Sequence, residues 1–180
     1  MKAELTSFAG PTGIGALCVL AVYLVIDSQQ ATFFYTVETY AKTATWGVII
    51  AAPLLVISYI AGIAVITAAE LVLQNSFGPS FLVEADDLFR LSTMSVEKSP
   101  LAQVYSELRQ DRSILAGSSI ALFLLACAAI VDVKNLPGLR KEVFITAFFM
   151  MLLSGVIFYF AGIKGRNAHA IAQKIIITKK

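Results

Sequence analysis

The sequence predicts an all-α integral membrane protein: four transmembrane helices, with a cytoplasmic helical layer formed by the middle loop and the C-terminal tail. Three observations lead there. The 180-residue chain is 58% hydrophobic and only 14% charged, against about 45–50% and 25% in soluble domains. Its mean hydropathy is +0.79. Four stretches, residues 8–26, 46–69, 114–131 and 143–163, contain no Asp, Glu, Lys, Arg or His. Each comes close to the roughly 20 residues that cross a hydrocarbon core of about 30 Å. All of residues 1–180 belong to one membrane domain on this reading.

The first span carries Pro11, Gly13 and Gly15 near its start. These weaken the first turns and leave open, beside the span of residues 8–26, a second register in which the helix begins near Thr12 and runs past Asp27, Gln29 and Gln30. That register places a carboxylate in the outer part of the membrane, at about 2.5–3.5 kcal/mol if it reached the centre. A cleaved leader with residues 17–26 as its apolar region is the alternative. Lys2 alone precedes that region and no A-x-A site follows it, so a retained span is preferred.

The first outer connection, residues 27–45, holds Phe33, Phe34, Tyr35, Val37 and Tyr40. Phe33, Val37 and Tyr40 share one face of a short helix. Phe33, Phe34, Tyr40 and Trp46 together form an aromatic group suited to headgroup depth. An interfacial anchor is the plain reading, and a recognition surface outside the cell the sharper one. In the second span Pro53 removes a backbone donor and predicts a kink.

The middle loop, residues 70–113, contains two amphipathic pieces. After Gly78-Pro79, residues Phe81, Ala85, Leu88 and Phe89 recur at helical spacing, with Glu84, Asp86 and Asp87 between them. These acids fit a solvated helix face better than a metal site. Ser99-Pro100 then supplies an N-cap and a first helical position. Leu101, Val104, Tyr105 and Leu108 follow on one face, and nothing breaks the helix before the third span. Asn135, Pro137 and Gly138 predict a tight turn and an antiparallel pairing of the third and fourth spans. The tail, residues 164–180, repeats Ala168, Ile171, Ala172, Ile175 and Ile176 along one stripe.

The loop carries seven acids against four bases, whereas the tail has five bases, Lys174, Lys179 and Lys180 among them, and no acid. Packing of tail on loop is expected, held mainly by the apolar stripes because exposed ion pairs contribute only about 0–1 kcal/mol each. The competing reading lays the basic tail on anionic lipid, at about 1 kcal/mol per Lys or Arg. Lys and Arg number ten in the N-terminus, middle loop and tail, and four in the outer connections. The positive-inside rule therefore places both termini in the cytoplasm. Short loops and compact size point to a bacterial inner membrane.

Little in the sequence supports chemistry. A net charge of +2 argues against nucleic-acid binding. His169 is the only histidine, and Cys18 and Cys127 lie in spans as ordinary packing residues. No phosphate loop, zincin motif or nucleophile elbow is present, so no enzyme, cofactor or metal site is expected. Small residues stand four apart in three pairs: Gly47 and Ala51, Ser58 and Gly62, Gly117 and Ala121. Such pairs let helix backbones approach closely. Ser118, Ser119, Thr146, Ser154 and Tyr159 form a polar seam that serves intrachain packing, lines a pore or receives a partner helix. The expected partners are the lipid bilayer and a second membrane protein or another copy of the chain. Immunity proteins against pore-forming toxins and accessory subunits share this four-span layout. A small homo-oligomeric channel or membrane-perturbing effector is the alternative. A facilitator is disfavoured because the spans lack an ionisable residue.

Overall fold

The computed structural model describes residues 2–28, 44–77, 100–133 and 137–178, with side chains for residues 8–28, 51–73, 75–76, 103–133 and 138–173. Four long helices make up this part: α1 (Lys2–Asp27), α2 (Ala44–Phe77), α3 (Pro100–Asp132) and α4 (Arg140–Thr178). A 3-10 turn, Pro137–Leu139, leads into α4. Each helix contains a segment long and apolar enough to cross a membrane: Phe8–Asp27, Ala51–Leu73, Gln103–Asp132 and Arg140–Gln173. Their length and composition define a multi-pass membrane protein.

Two expectations about helix limits change. Helix α1 starts at Lys2, not near Thr12, and carries Pro11 inside it. Propensity rules come from water, where a broken helix can hydrate its backbone. In lipid every backbone group needs an internal partner, so the helix persists through Pro and Gly. It ends at Asp27, where the Ser28 N–H donates to the Leu24 carbonyl at 3.0 Å and the Ser28 hydroxyl to the Val25 carbonyl at 2.6 Å. Gln29 and Gln30 lie outside the described residues. Helix α2 is continuous through Pro53, and α3 runs from Pro100 through the third span without a break.

Helix α3 is the centre of the arrangement. It packs against α1, α2 and α4, while α1 also lies along α2. Three clusters line its apolar part, from Ile114 to Ala128. Ala69 and Leu73 of α2 meet Ala116 of α3 and Ala161 of α4. Ile14 and Cys18 of α1 meet Ala121, with Val65 and Ile66 of α2 against them. Ala21 of α1 meets Leu125 and Ala128, with Met150 of α4 alongside. Among the described residues the only large side chain that is fully buried is Leu73. Small residues dominate because lipid tails are as apolar as leucine, so close backbone approach, not burial of bulk, holds such helices together. The large apolar side chains point outward: Phe148, Phe149, Leu152 and Leu153 of α4 are all more than half exposed.

On α4 the buried residues Ala147, Ser154, Ala161 and Ala168 recur every seventh position, the spacing of a helix seam that stays on one partner. Helices α2, α3 and α4 contain 34, 33 and 39 residues, about 50 to 58 Å at 1.5 Å per residue. All three overshoot a core of about 30 Å. Their surplus lies at one end of the bundle: α2 after Ala69, α3 before Ile114 and α4 after Ile163.

Candidate functional site

Among the described glycines, the closest approach to a neighbouring helix is at the crossing of α1 and α2. A Cβ placed on Gly15 would lie 1.6 Å from the Ser58 carbonyl oxygen, and one on Gly62 would lie 1.8 Å from the Pro11 carbonyl oxygen. Backbone meets backbone there, twice, one turn apart. Phe8 stacks on Tyr59 beside the crossing, with ring centroids 5.0 Å apart. Ser58 and Gly62 are thus placed together, opposite Pro11 and Gly15, two residues read from sequence only as weak helix formers. Gly117 faces α2 and α1: its added Cβ would meet Ile66 Cγ1 at 2.7 Å and Ile14 Cδ1 at 3.1 Å. Ala121 is fully buried in the same cluster.

Ala51 is placed differently. It is exposed, as is every residue from 51 to 57, about two full turns of α2 with no buried face. This stretch and α1 border an open groove of about 520 Å³, lined by Ala16, Leu20 and Tyr23 of α1 and by Ala51, Leu54 and Leu55 of α2. Gly47 stands one turn before Ala51 in the helix, with its surroundings outside the described residues, as are those of Trp46.

The polar seam divides into buried and outward members. Ser119 and Ser154 face each other across α3 and α4, and each hydroxyl donates to the other residue's carbonyl at 2.9 Å. Ser118 is half-buried. Thr146 donates to the Glu142 carbonyl of its own helix at 2.8 Å and is exposed. Tyr159 is exposed beside Phe160 in an edge-on pair. A hydroxyl bonded to its own helix carries no unsatisfied donor into lipid, which explains how Thr146 is accommodated there.

At the end where the helices overshoot, charged groups tie three of them together. Arg112 of α3 donates to Glu70 of α2 at 3.2 Å, and the Ser113 hydroxyl bonds the same carboxylate oxygen. Lys164 of α4 pairs with Asp111 of α3 at 2.5 Å. The Arg112 side chain is only 13% exposed, and its Nε is buried without a hydrogen-bond partner among the described residues. A cleft of about 420 Å³ opens between α3 and α4 below the Asp111–Lys164 pair, lined by Ile114, Leu115, Ile157 and Phe160. His169 lies half-buried further along α4, its Nε2 within 3.0 Å of Gln173 Nε2.

Cys18 and Cys127 are free thiols that border one apolar groove of about 340 Å³ between α1 and α3. Among the described residues no group of three or more His, Cys, Asp and Glu converges as metal ligands do. Phe33, Phe34, Tyr40, Glu84, Asp86, Asp87, Lys179 and Lys180 lie outside the described residues, and Lys174 is placed in α4 by backbone alone. The seam that sequence reading missed is the small-residue face of α4. Its signal was present in the seven-residue spacing of Ala147, Ser154, Ala161 and Ala168. No protein-family model, curated protein or solved structure matches the chain.

Proposed function

We propose that the chain is a bacterial inner-membrane protein, with both termini in the cytoplasm, that works through helix contacts with another membrane protein as an immunity-type, accessory or regulatory subunit. The observation that carries this reading is the unburied double turn of α2, residues 51–57. A helix within a bundle buries at least one face, as α2 does from Ser58 onward. Before Ser58 it presents Ala51, Leu54 and Leu55 along a groove shared with Ala16 of α1, and a small residue on each of two helices leaves room for another transmembrane helix to pack there. The polar groups support the same choice over a self-assembled pore. Ser119 and Ser154 satisfy each other inside the chain, so they are not free to line a channel between copies.

A photo-reactive residue at Leu55, compared with one at Phe149, which is also more than half exposed, tests the reading in native membranes. We expect a discrete protein adduct from position 55 and none from position 149, and loss of the adduct in Ala51→Trp. Adducts from neither position would overturn the reading. An adduct of twice the chain mass, with a matching oligomer by light scattering in nanodiscs, would replace it with self-association.

A further inference from the structure

We infer that the cleft between α3 and α4 is a binding site for one phospholipid whose headgroup is zwitterionic and ends in a primary amine. The depth of the site sets the class of ligand. Lys164 directly follows the charge-free residues 143–163, and Asp111 precedes residues 114–131 by one turn. Both therefore stand where hydrocarbon gives way to headgroups. Below them the walls are Ile114, Leu115, Ile157 and Phe160. A ligand that fills both parts has a charged end and an acyl tail.

The charges at the mouth select the headgroup. Asp111 and Lys164 are the charged residues lining the cleft, and their side chains remain 52% and 37% exposed. The next cation on α3, Arg112, is turned to α2 and held by Glu70. The mouth is thus neutral overall: one carboxylate and one ammonium, already paired with each other, with further acceptor sites on the carboxylate and further N–H donors on the ammonium still open to a ligand. An anionic headgroup finds one attractive and one repulsive partner there. A phosphoethanolamine headgroup finds two attractive ones: its phosphate oxygens accept from the Lys164 ammonium, and its ammonium donates to the Asp111 carboxylate. Charge-assisted hydrogen bonds of this type are the stronger ones, and they require N–H donors. A choline headgroup has the charge without the donors.

The full chain in nanodiscs tests this with lipids alone. In a W46F background, which removes the only native tryptophan, Phe160→Trp places a fluorophore on the cleft wall. Quenching by chain-brominated phosphatidylethanolamine, its N-methylated series, phosphatidylcholine and phosphatidylglycerol is then compared at equal mole fraction in a common unbrominated bilayer. The expected order is phosphatidylethanolamine first by severalfold, with quenching falling as each methyl replaces an N–H. Asp111→Asn should lower phosphatidylethanolamine to the level of phosphatidylcholine, and Lys164→Gln should lower both. Equal quenching by the ethanolamine and choline lipids would overturn the proposal. So would a preference for phosphatidylglycerol, which would make the cleft a basic site. The methylation series needs neither charge variant, so it decides the matter even if those fail to fold.

Discussion

Gly15 and Gly62 show how much of this structure rests on single hydrogen atoms. Each faces a carbonyl oxygen of the opposite helix at a distance that no methyl group can share. A carbonyl within a helix cannot rotate aside, so the helices themselves must separate. Overpacking generally costs about 1–3 kcal/mol. Gly15→Ala and Gly62→Ala should reach or exceed the upper end of that range, because the obstacle is backbone. Gly117→Ala should cost less, since side chains of Ile66 and Ile14 stand in the way. Gly155 has nothing within 4 Å of an added Cβ, and Gly155→Ala should be neutral or stabilising by up to about 1 kcal/mol through helix propensity. Thermal unfolding in detergent checks the order; a Gly15→Ala midpoint equal to wild type would refute the close crossing. The pairing of Ser58 with Gly62 was legible in the sequence as small residues four apart. Its counterpart was not, because Pro11 and Gly15 carry opposite meanings in the two solvents. In water they read as a frayed helix start, whereas in lipid the helix persists and the missing side chain becomes the contact.

Between elements, the pairing of α3 with α4 combines a small-residue seam with one polar clasp. The reciprocal Ser119 and Ser154 bonds satisfy two hydroxyls in a place where no water can do so. Interhelical hydrogen bonds in membranes average about 0.6 kcal/mol and reach about 1.7 kcal/mol. Ser119→Ala and Ser154→Ala should each destabilise within that span. The double variant should fall well short of the sum, since either change removes part of the same clasp. Unfolding in mixed detergent and dodecyl sulfate measures the cycle, and strict additivity would show that the two hydroxyls act independently. Thr146 and Tyr159 resemble these serines in carrying a hydroxyl, but angular position separates them. Tyr159 is five residues beyond Ser154, about 140° round the helix, and Thr146 is eight before it, about 80° away. Residue type alone marked the polar groups, whereas the buried face followed the small residues at every seventh position. The charge-free windows and the unbroken run of α3 into its span were legible because they depend only on the residues along the chain. Which face met which helix depended on spacing around it.

At the scale of the whole molecule, the placement of charge along the bundle determines how it sits in a membrane. The three overshooting helices bring Arg109, Arg112, Lys164, Arg166 and Lys174 to one end, with Lys2 of α1 beside them. Arg140 and Lys141 stand at the other end. The acids do not enter this comparison, because orientation follows Lys and Arg near the span ends, not net charge. The end with the longer helices should therefore lie in the cytoplasm. A variant with Cys18 and Cys127 changed to alanine allows a direct check, with single cysteines at the exposed positions Ser106 of α3 and Lys141 of α4. A membrane-impermeant maleimide should label Lys141→Cys in intact cells and reach Ser106→Cys only after lysis. The reverse pattern would invert the chain and move the Asp111–Lys164 cleft to the outer leaflet. It would also put the unburied turn of α2 near the cytoplasm, where a different set of membrane proteins could reach it. Orientation thus decides which leaflet supplies the lipid and from which side a partner is met, although neither contact depends on it for its chemistry.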